Sequence, residues 1–70
     1  MTASIRIFVN GAPREFAAAP TVAQFLAELS LAGKRLAIER NGEIVPRSRF
    51  TEQRLADGDR LEVVVAVGGG

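Results

Sequence analysis

The residues of this sequence with the clearest chemical potential are the last four, Val67-Gly68-Gly69-Gly70. Glycine lacks a Cβ, so three glycines after an apolar run leave the α-carboxylate of Gly70 on a thin stalk. Three extended residues reach about 10 Å, far enough to carry that carboxylate into a narrow active site of another protein. The pattern indicates Gly70 as a reacting group with Gly68 and Gly69 as its tether, and a frayed chain end is the alternative interpretation.

The remaining side chains offer few other candidates for chemistry. The 70 residues include no cysteine and no histidine, which removes the usual general base, the triads built around it and the common zinc ligands. Asp57 and Asp59 resemble a paired-carboxylate site, but Asp-Gly-Asp between a loop and a strand is typical of a tight turn. We therefore expect a chain that is not an enzyme, has no catalytic residue of its own and binds no metal.

Composition also narrows the partners and the location. The net charge is +1 and the only aromatic residues are four phenylalanines, which argues against binding to nucleic acid. No apolar stretch approaches the roughly 18 residues of a membrane span, and no signal peptide is visible. Because small secreted domains tend to be rich in disulfides, the absence of cysteine favours the cytoplasm.

The first part of the chain has the pattern of a hairpin. Apolar residues alternate from Ile5 to Val9 and end at Asn10-Gly11, a strong turn dipeptide. We expect the second strand from about Arg14 to Ala17, with Pro20 closing it.

A helix follows the hairpin. Thr21 and Gln24 have the spacing of a capping box. The apolar stripe typical of a helix consists of Val22, Phe25, Leu26 and Leu29. We expect the helix to run to about Leu31, with Gly33 as a left-handed C-cap and Lys34 and Arg35 near the negative end of its dipole.

The second half of the chain is predicted to supply the remaining strands. A short strand at Leu36 to Arg40, the turn Asn41-Gly42 and a partner strand at Glu43 to Val45 make a second hairpin. One helical or 3₁₀ turn is expected within 51–55. Apolar alternation from Leu61 to Val67 predicts a strong final strand.

This final strand has apolar residues on both faces, since Val64 and Ala66 interrupt the polar side of the alternation. We therefore expect it to be central and covered on much of both faces. The element order predicts an α+β fold in which one mixed sheet of four to five strands wraps around one main helix.

Three segments together resemble a known family. They are Asn41-Gly42-Glu43-Ile44-Val45-Pro46-Arg47, Leu55-Ala56-Asp57-Gly58-Asp59-Arg60-Leu61 and the final Gly69-Gly70. The chain resembles the ubiquitin-like sulfur carrier proteins of the β-grasp fold, most closely those of thiamine thiazole biosynthesis. The resemblance covers essentially the whole chain and implies a β-grasp domain over residues 1–67 with a flexible glycine tail over 68–70.

The resemblance also implies a reaction cycle and its partners. In this family a ubiquitin-activating-like enzyme uses ATP to adenylate the terminal carboxylate, here that of Gly70. Sulfur from a sulfur donor protein displaces AMP, and the resulting thiocarboxylate supplies sulfur to a thiazole synthase. The partner enzyme would bind the ATP, so no cofactor is expected on this chain.

A partner surface is expected on the sheet. Phe8, Val64 and Ala66 lie opposite the main core stripes and could form an apolar patch for the activating enzyme. The alternative is that the segment from Pro46 to Leu55 covers them. Arg47 belongs to a group of arginines that could dock an acidic surface, although solvated charge is the default interpretation. The other members are Arg49, Arg54 and Arg60.

Three other functions stay open. A molybdopterin sulfur carrier fits less well, because those chains are usually longer and often have prolines before the diglycine, where this chain has Val65-Ala66-Val67. A protein modifier conjugated through Gly70 is a second alternative, although Lys34, the only lysine, makes chain-building on itself improbable. The last is a β-grasp interaction domain with an inert tail.

Overall fold

The computed structural model of the protein describes residues 4–65. Its elements are β1 (Ile5–Val9), β2 (Ala12–Phe16), α1 (Val22–Glu28), β3 (Leu36–Arg40), β4 (Glu43–Val45), a 3₁₀ turn (Arg47–Arg49) and β5 (Arg60–Val65). The five strands form one sheet in the order β2-β1-β5-β3-β4. β1 and β5 are parallel, and the other neighbours are antiparallel. This mixed sheet with one helix confirms the predicted β-grasp fold, while the predicted boundary at residue 67 lies outside the described residues.

The first hairpin is tighter than predicted. Asn10 and Gly11 both have positive φ, 50° and 86°, as a two-residue turn between right-twisted strands requires. Val9 pairs directly with Ala12, so β2 begins at Ala12 and not at about Arg14. Pro13 fits this early position because, opposite Phe8 on an edge strand, its missing N–H would face away from β1.

The start of α1 is held by the predicted capping box and by a loop from the second half of the chain. The Gln24 N–H donates to Thr21 Oγ1 at 3.1 Å, and the Thr21 N–H donates to Gln24 Oε1 at 2.9 Å. The N–H of Val22 donates to the Gln53 carbonyl, and that of Ala23 donates to the Phe50 carbonyl. These bonds satisfy backbone donors that a helix start leaves without intrahelical partners.

The end of α1 differs from the prediction. The helix stops at Glu28, and Ser30, with φ of +60°, takes the left-handed position expected of Gly33. The Ser30 N–H donates to the Ala27 carbonyl and the Leu31 N–H to the Leu26 carbonyl, which is the Schellman pattern. Because the helix ends early, the chain turns so that the half-buried Leu31 packs against the core.

Two details of the prediction fail with this early stop. Gly33, with φ of +82°, belongs to a later turn. Lys34 and Arg35 lie beyond the helix, and the last turn of α1 contains no basic residue, so they do not flank its dipole.

The 3₁₀ turn is also displaced from the prediction. It spans Arg47–Arg49 directly after Pro46, whose carbonyl accepts the Arg49 N–H at 2.9 Å. The Gln53 N–H donates to the Arg49 carbonyl at 2.8 Å, so a helical turn includes Thr51 and Glu52. Arg54 beyond it forms a bridge with Thr21. That contact requires extended backbone, so no helical turn forms at Arg54.

The core lies between the sheet and α1. Its buried apolar residues are Ile5, Ile7, Phe16, Val22, Phe25, Leu26, Ile38, Val45, Leu55 and Leu61. The Phe16 and Phe25 rings meet edge to face with centroids 5.8 Å apart, a favourable aromatic geometry. Within residues 4–65, no helix is long and apolar enough to cross a membrane.

β5 is central, as predicted, but only one of its faces is covered. Leu61 is fully buried on the helix side, whereas Val64 on the other side is 62% exposed. The expectation of cover on both faces is wrong because α1 and residues 50–55 pack together on the helix side. The uncovered side, which we call the open face, carries Phe8, Ala37, Glu39, Ile44, Arg60, Glu62 and Val64.

Candidate functional site

The strand that leads to the predicted reacting group is the central strand of the sheet. β5 pairs with β1 at Leu61 and with β3 through to Val65. The predicted reacting residue Gly70 and its tether, Gly68 and Gly69, follow this strand and lie outside the described residues. The site that the structure describes is therefore the root of the tail, meaning β5 and the groups that hold it.

Asp59 organises the turn that leads into β5. The residue is 6% exposed, and its carboxylate accepts three hydrogen bonds, from Arg40 Nε at 2.7 Å, Asn41 Nδ2 at 3.1 Å and the Ala56 N–H at 2.8 Å. Burial, the largest single influence, raises the pKa of Asp59. The bonds from Arg40, Ala56 and Asn41, with the Arg40 charge, outweigh it and hold the pKa of Asp59 below its ordinary value.

Asp57 has a different role in the same turn. Its Oδ1 accepts the Arg6 N–H at 2.8 Å, and the Gly58 N–H donates to the Arg6 carbonyl at 2.8 Å. These two bonds continue the pairing of β1 with β5 backward beyond the start of β5. The structure shows Asp57-Gly58-Asp59 as a turn in which both carboxylates bond to other groups of the fold.

The two Asn-Gly turns hold β5 from either side. Asn10 Oδ1 accepts the Val63 N–H at 2.7 Å, and Asn10 Nδ2 donates to the Val63 carbonyl at 3.2 Å. On the β3 side, Asn41 Oδ1 accepts the Arg60 N–H at 2.9 Å. Asn41 therefore fixes the beginning of β5, and Asn10 fixes it near the tail.

The open face has an apolar region and a charged region. Val64 lies opposite Ala37 across the β3–β5 ladder, and both are exposed. Next along the strands, Glu62 lies opposite Glu39. Like charges in directly opposed positions destabilise a sheet, and a cationic group of a partner would reduce their repulsion. The part nearest the tail is apolar, and the acidic pair follows it.

The predicted partner surface is partly brought together. Phe8 and Val64 share the open face, but Phe8 lies beside Arg60, four residues before Val64 on β5, where a shallow depression is lined by Phe8, Gly11 and Arg60. Ala66 lies outside the described residues. Arg47 follows the edge strand β4, and β3 lies between β4 and β5, so the structure does not place Arg47 with Phe8 and Val64.

The structure also bears on two alternatives for this surface. The segment from Pro46 to Leu55 does not cover Val64, because its backbone bonds to the start of α1 on the other side of the sheet. The four arginines are spread over several elements. Arg47 and Arg49 lie in the 3₁₀ turn, Arg60 lies on β5, and Arg54 donates to the Ala19 carbonyl at 2.9 Å.

Sequence reasoning missed several residues of this site. It treated Asn10 and Asn41 as turn residues alone, and it did not place Ala37, Glu39 or Glu62 beside Val64. Their positions depend on the register between β3 and β5, in which Ala37 opposes Val64. Alternation within one strand predicts which face a residue occupies but not its neighbour on the next strand.

Comparison with known proteins adds to this geometry. The model of the ThiS family matches residues 7–70. The chain belongs to the ThiS family. The sulfur carrier protein ThiS of Bacillus subtilis (strain 168) is 42% identical over 50 residues, covering 71% of this chain and 76% of that protein. The crystal structure of the thiamine biosynthesis protein ThiS from Geobacter metallireducens superposes with a TM-score of 0.81 and 32% identity, covering 94% of this chain and all of that one.

Some relatives of this ThiS-family chain are much longer. The thiazole synthase of Paramagnetospirillum magneticum (strain ATCC 700264 / AMB-1) is 42% identical over 66 residues, which is 94% of this chain but 20% of that protein. The thiazole synthase of Magnetococcus marinus is 35% identical over the same share. The chain therefore spans about a fifth of the length of these two relatives.

Proposed function

We propose that this ThiS-family chain is a sulfur carrier for thiamine thiazole synthesis and that its Gly70 carboxylate is converted to a thiocarboxylate. The observation that carries the proposal is the family match over residues 7–70, which includes the terminal glycines as well as the domain. The fold supports it, because the tail follows the central strand and not an edge strand. A firmly held strand gives a partner enzyme a fixed point from which to reach the carboxylate.

The proposed chemistry explains why the chain needs a tail and no catalytic side chain. A carboxylate is a poor electrophile, so the partner joins a Gly70 oxygen to the α-phosphorus of ATP and releases pyrophosphate. A sulfide equivalent then attacks the acyl carbon, AMP leaves, and a thiocarboxylate remains. ATP and the catalytic groups belong to the partner. Because the sequence has no cysteine or histidine, this chain offers few nucleophiles that would compete for its own activated end.

Three partners follow from the proposed cycle, namely an adenylating enzyme, a sulfur donor protein and a thiazole synthase. The two longer relatives support the last of these, since proteins named thiazole synthase contain a segment similar to this chain. A carrier and its acceptor that occur in one polypeptide are suited to act on each other. We also infer a cytoplasmic location, supported by the cysteine-free composition.

The open face is the proposed docking surface for the adenylating enzyme. Val64 is an exposed apolar residue on the tail-bearing strand, and Phe8 lies on the same face. A partner that covers this face would hold the tail root while it receives the carboxylate. We retain Ala66 and Arg47 as secondary candidates, Ala66 by strand alternation and Arg47 as a rim charge that would steer association.

The proposal is tested by intact-mass spectrometry after incubation with ATP, the adenylating enzyme of the same organism and a sulfide source. We expect a mass gain equal to the exchange of one oxygen for sulfur, located on the C-terminal fragment. An isopeptide adduct with another protein would favour a modifier instead. No change with an enzyme shown to be active would leave the inert-tail interpretation.

Two variants sharpen this experiment. A chain with a C-terminal carboxamide keeps every side chain but lacks the reacting carboxylate, so it should not be converted. A chain without Gly69 and Gly70 should also not be converted, while its thermal midpoint stays near that of the parent, because residues 68–70 are proposed to lie outside the core. A large loss of stability would contradict that division of the chain.

A further inference from the structure

The carboxamide of Asn10 makes two hydrogen bonds that backbone groups would otherwise make in the ladder between β1 and β5. In this parallel ladder the Phe8 N–H donates to the Asp59 carbonyl at 2.9 Å and the Asn10 N–H to the Leu61 carbonyl at 2.8 Å. A continuing β1 strand would next accept the Val63 N–H on its backbone carbonyl. Asn10 Oδ1 accepts that N–H instead, at 2.7 Å.

The same side chain supplies the following bond of the ladder. Asn10 Nδ2 donates to the Val63 carbonyl at 3.2 Å, where the residue two positions further along a continuing strand would place its backbone N–H. The backbone cannot make these bonds, because the turn at Asn10 sends the chain back to pair Val9 with Ala12. The carboxamide thus extends the ladder past the point at which β1 leaves β5.

This extension falls at the tail root. Val63 is half-buried against the core, while Val64 and Val65 beyond it are exposed. β3 holds the other edge of β5 as far as Val65. Asn10 is therefore the contact from the β1 side that lies furthest along β5 among the described residues.

We propose that Asn10 is a positioning residue for the C-terminal tail, whose carboxamide keeps the last residues of β5 in the sheet and so fixes where the tail starts. The proposal rests on the sulfur-carrier function. Gly70 lies seven residues beyond Val63, a span of about 23 Å when extended. If β5 frayed back to Val63, a partner would have to order those extra residues to hold the tail, which weakens binding.

The chain provides a matched pair of variants for the test. Asn10→Gly and Asn41→Gly both keep a residue that accepts positive φ, and each removes two side-chain hydrogen bonds to the β5 region. The Asn10 bonds lie near the tail, and the Asn41 bonds lie at the start of β5. A general loss of stability would affect both variants, whereas a positioning role concerns Asn10 alone.

The first readout is amide hydrogen exchange of the free protein by NMR. We expect Asn10→Gly to speed exchange at Val63 on the order of tenfold relative to core amides, as the loss of about one hydrogen bond implies. In Asn41→Gly the faster amide should be that of Arg60. Unchanged exchange at Val63 in the Asn10 variant would overturn the proposal.

The second readout is the steady-state adenylation rate with the partner enzyme. Asn10→Gly should raise KM for the chain on the order of tenfold with kcat nearly unchanged, because only the binding of the tail suffers, and Asn41→Gly should stay within about twofold. Equal KM values for the two variants would overturn the positioning role and leave the carrier function intact. If the parent chain itself is not adenylated by an active enzyme, the sulfur-carrier function fails and the positioning role fails with it.

Discussion

Replacing Asp59 with alanine should destabilise the fold strongly, although Asp59 lies in a loop and not in the apolar core. The carboxylate joins three parts of the chain, since its donors are Arg40 at the end of β3, Asn41 in the second hairpin turn and Ala56 in its own loop. Alanine removes the acceptor for all three donors. The turn that starts β5 then loses the group that fixes its shape.

The size of the effect follows from these three bonds. A hydrogen bond to a charged group contributes about 1.5–3 kcal/mol and a neutral one about 1 kcal/mol. Because the Arg40 side chain is 30% exposed, water can solvate it after the change, so we expect a total loss of about 2–4 kcal/mol. A domain of this length has a free energy of unfolding of roughly 4–10 kcal/mol. The thermal midpoint should therefore fall by roughly 10–25 °C.

Urea and thermal unfolding followed by circular dichroism would measure this loss. Asp57→Ala is the matched control, since its carboxylate is exposed and accepts one bond, from the Arg6 N–H. We expect the control to lose about 1 kcal/mol or less. If Asp59→Ala loses no more free energy than Asp57→Ala, the conclusion that Asp59 organises the start of β5 is refuted.

Three further predictions concern acid stability, the helix end and the open face. Because the pKa of Asp59 is lower in the folded state, its contribution is fully present above the ordinary carboxyl pKa of about 3.9 and is lost as pH falls below that value. On acidification, the Asp59→Asn variant should lose less stability over this pH range than the parent chain. The same pH profile in both proteins would contradict this role of Asp59. Ser30→Gly should stabilise the fold by about 0.5–1 kcal/mol in urea unfolding. Glycine removes the cost of about 1–2 kcal/mol for a left-handed serine, and the greater backbone entropy of glycine in the unfolded chain offsets part of that gain. A loss of stability would count against the Schellman assignment. Val64→Thr should raise KM for adenylation with less than about 1 kcal/mol of lost stability. Ile44→Thr changes a similarly exposed residue, at 69%, that lies on the same face but on the edge strand β4. We expect it to raise KM less than Val64→Thr, and equal KM values would exclude the tail-side patch as the centre of the docking surface.

The sequence predicted the features of this fold that depend on neighbouring residues. Asn-Gly dipeptides specify two-residue turns by their own backbone preferences, so the hairpin at Asn41-Gly42 is found where it was expected. The capping box at Thr21 needs only Gln24 three residues later. Alternation within β5 placed Val64 opposite the core stripe.

Features that depend on tertiary contacts were not predictable in the same way. The choice of Ser30 over Gly33 as the left-handed residue depends on where Leu31 meets the core. The role of Asn10 depends on a contact 53 residues away in the chain. The sequence around Asn10 would look the same whether its side chain faced solvent or bonded to the Val63 backbone. Only the assembled sheet distinguishes these two roles.

The most direct test of the sulfur-carrier proposal follows one sulfur atom. The chain is first converted at Gly70 with isotopically labelled sulfide, freed of excess label, and then supplied to the thiazole synthase of the same organism with its other substrates. We expect the label in the thiazole product and the return of the Gly70 thiocarboxylate to a carboxylate, in equal amounts. Thiazole that forms without the label, while Gly70 keeps its sulfur, would contradict the proposal.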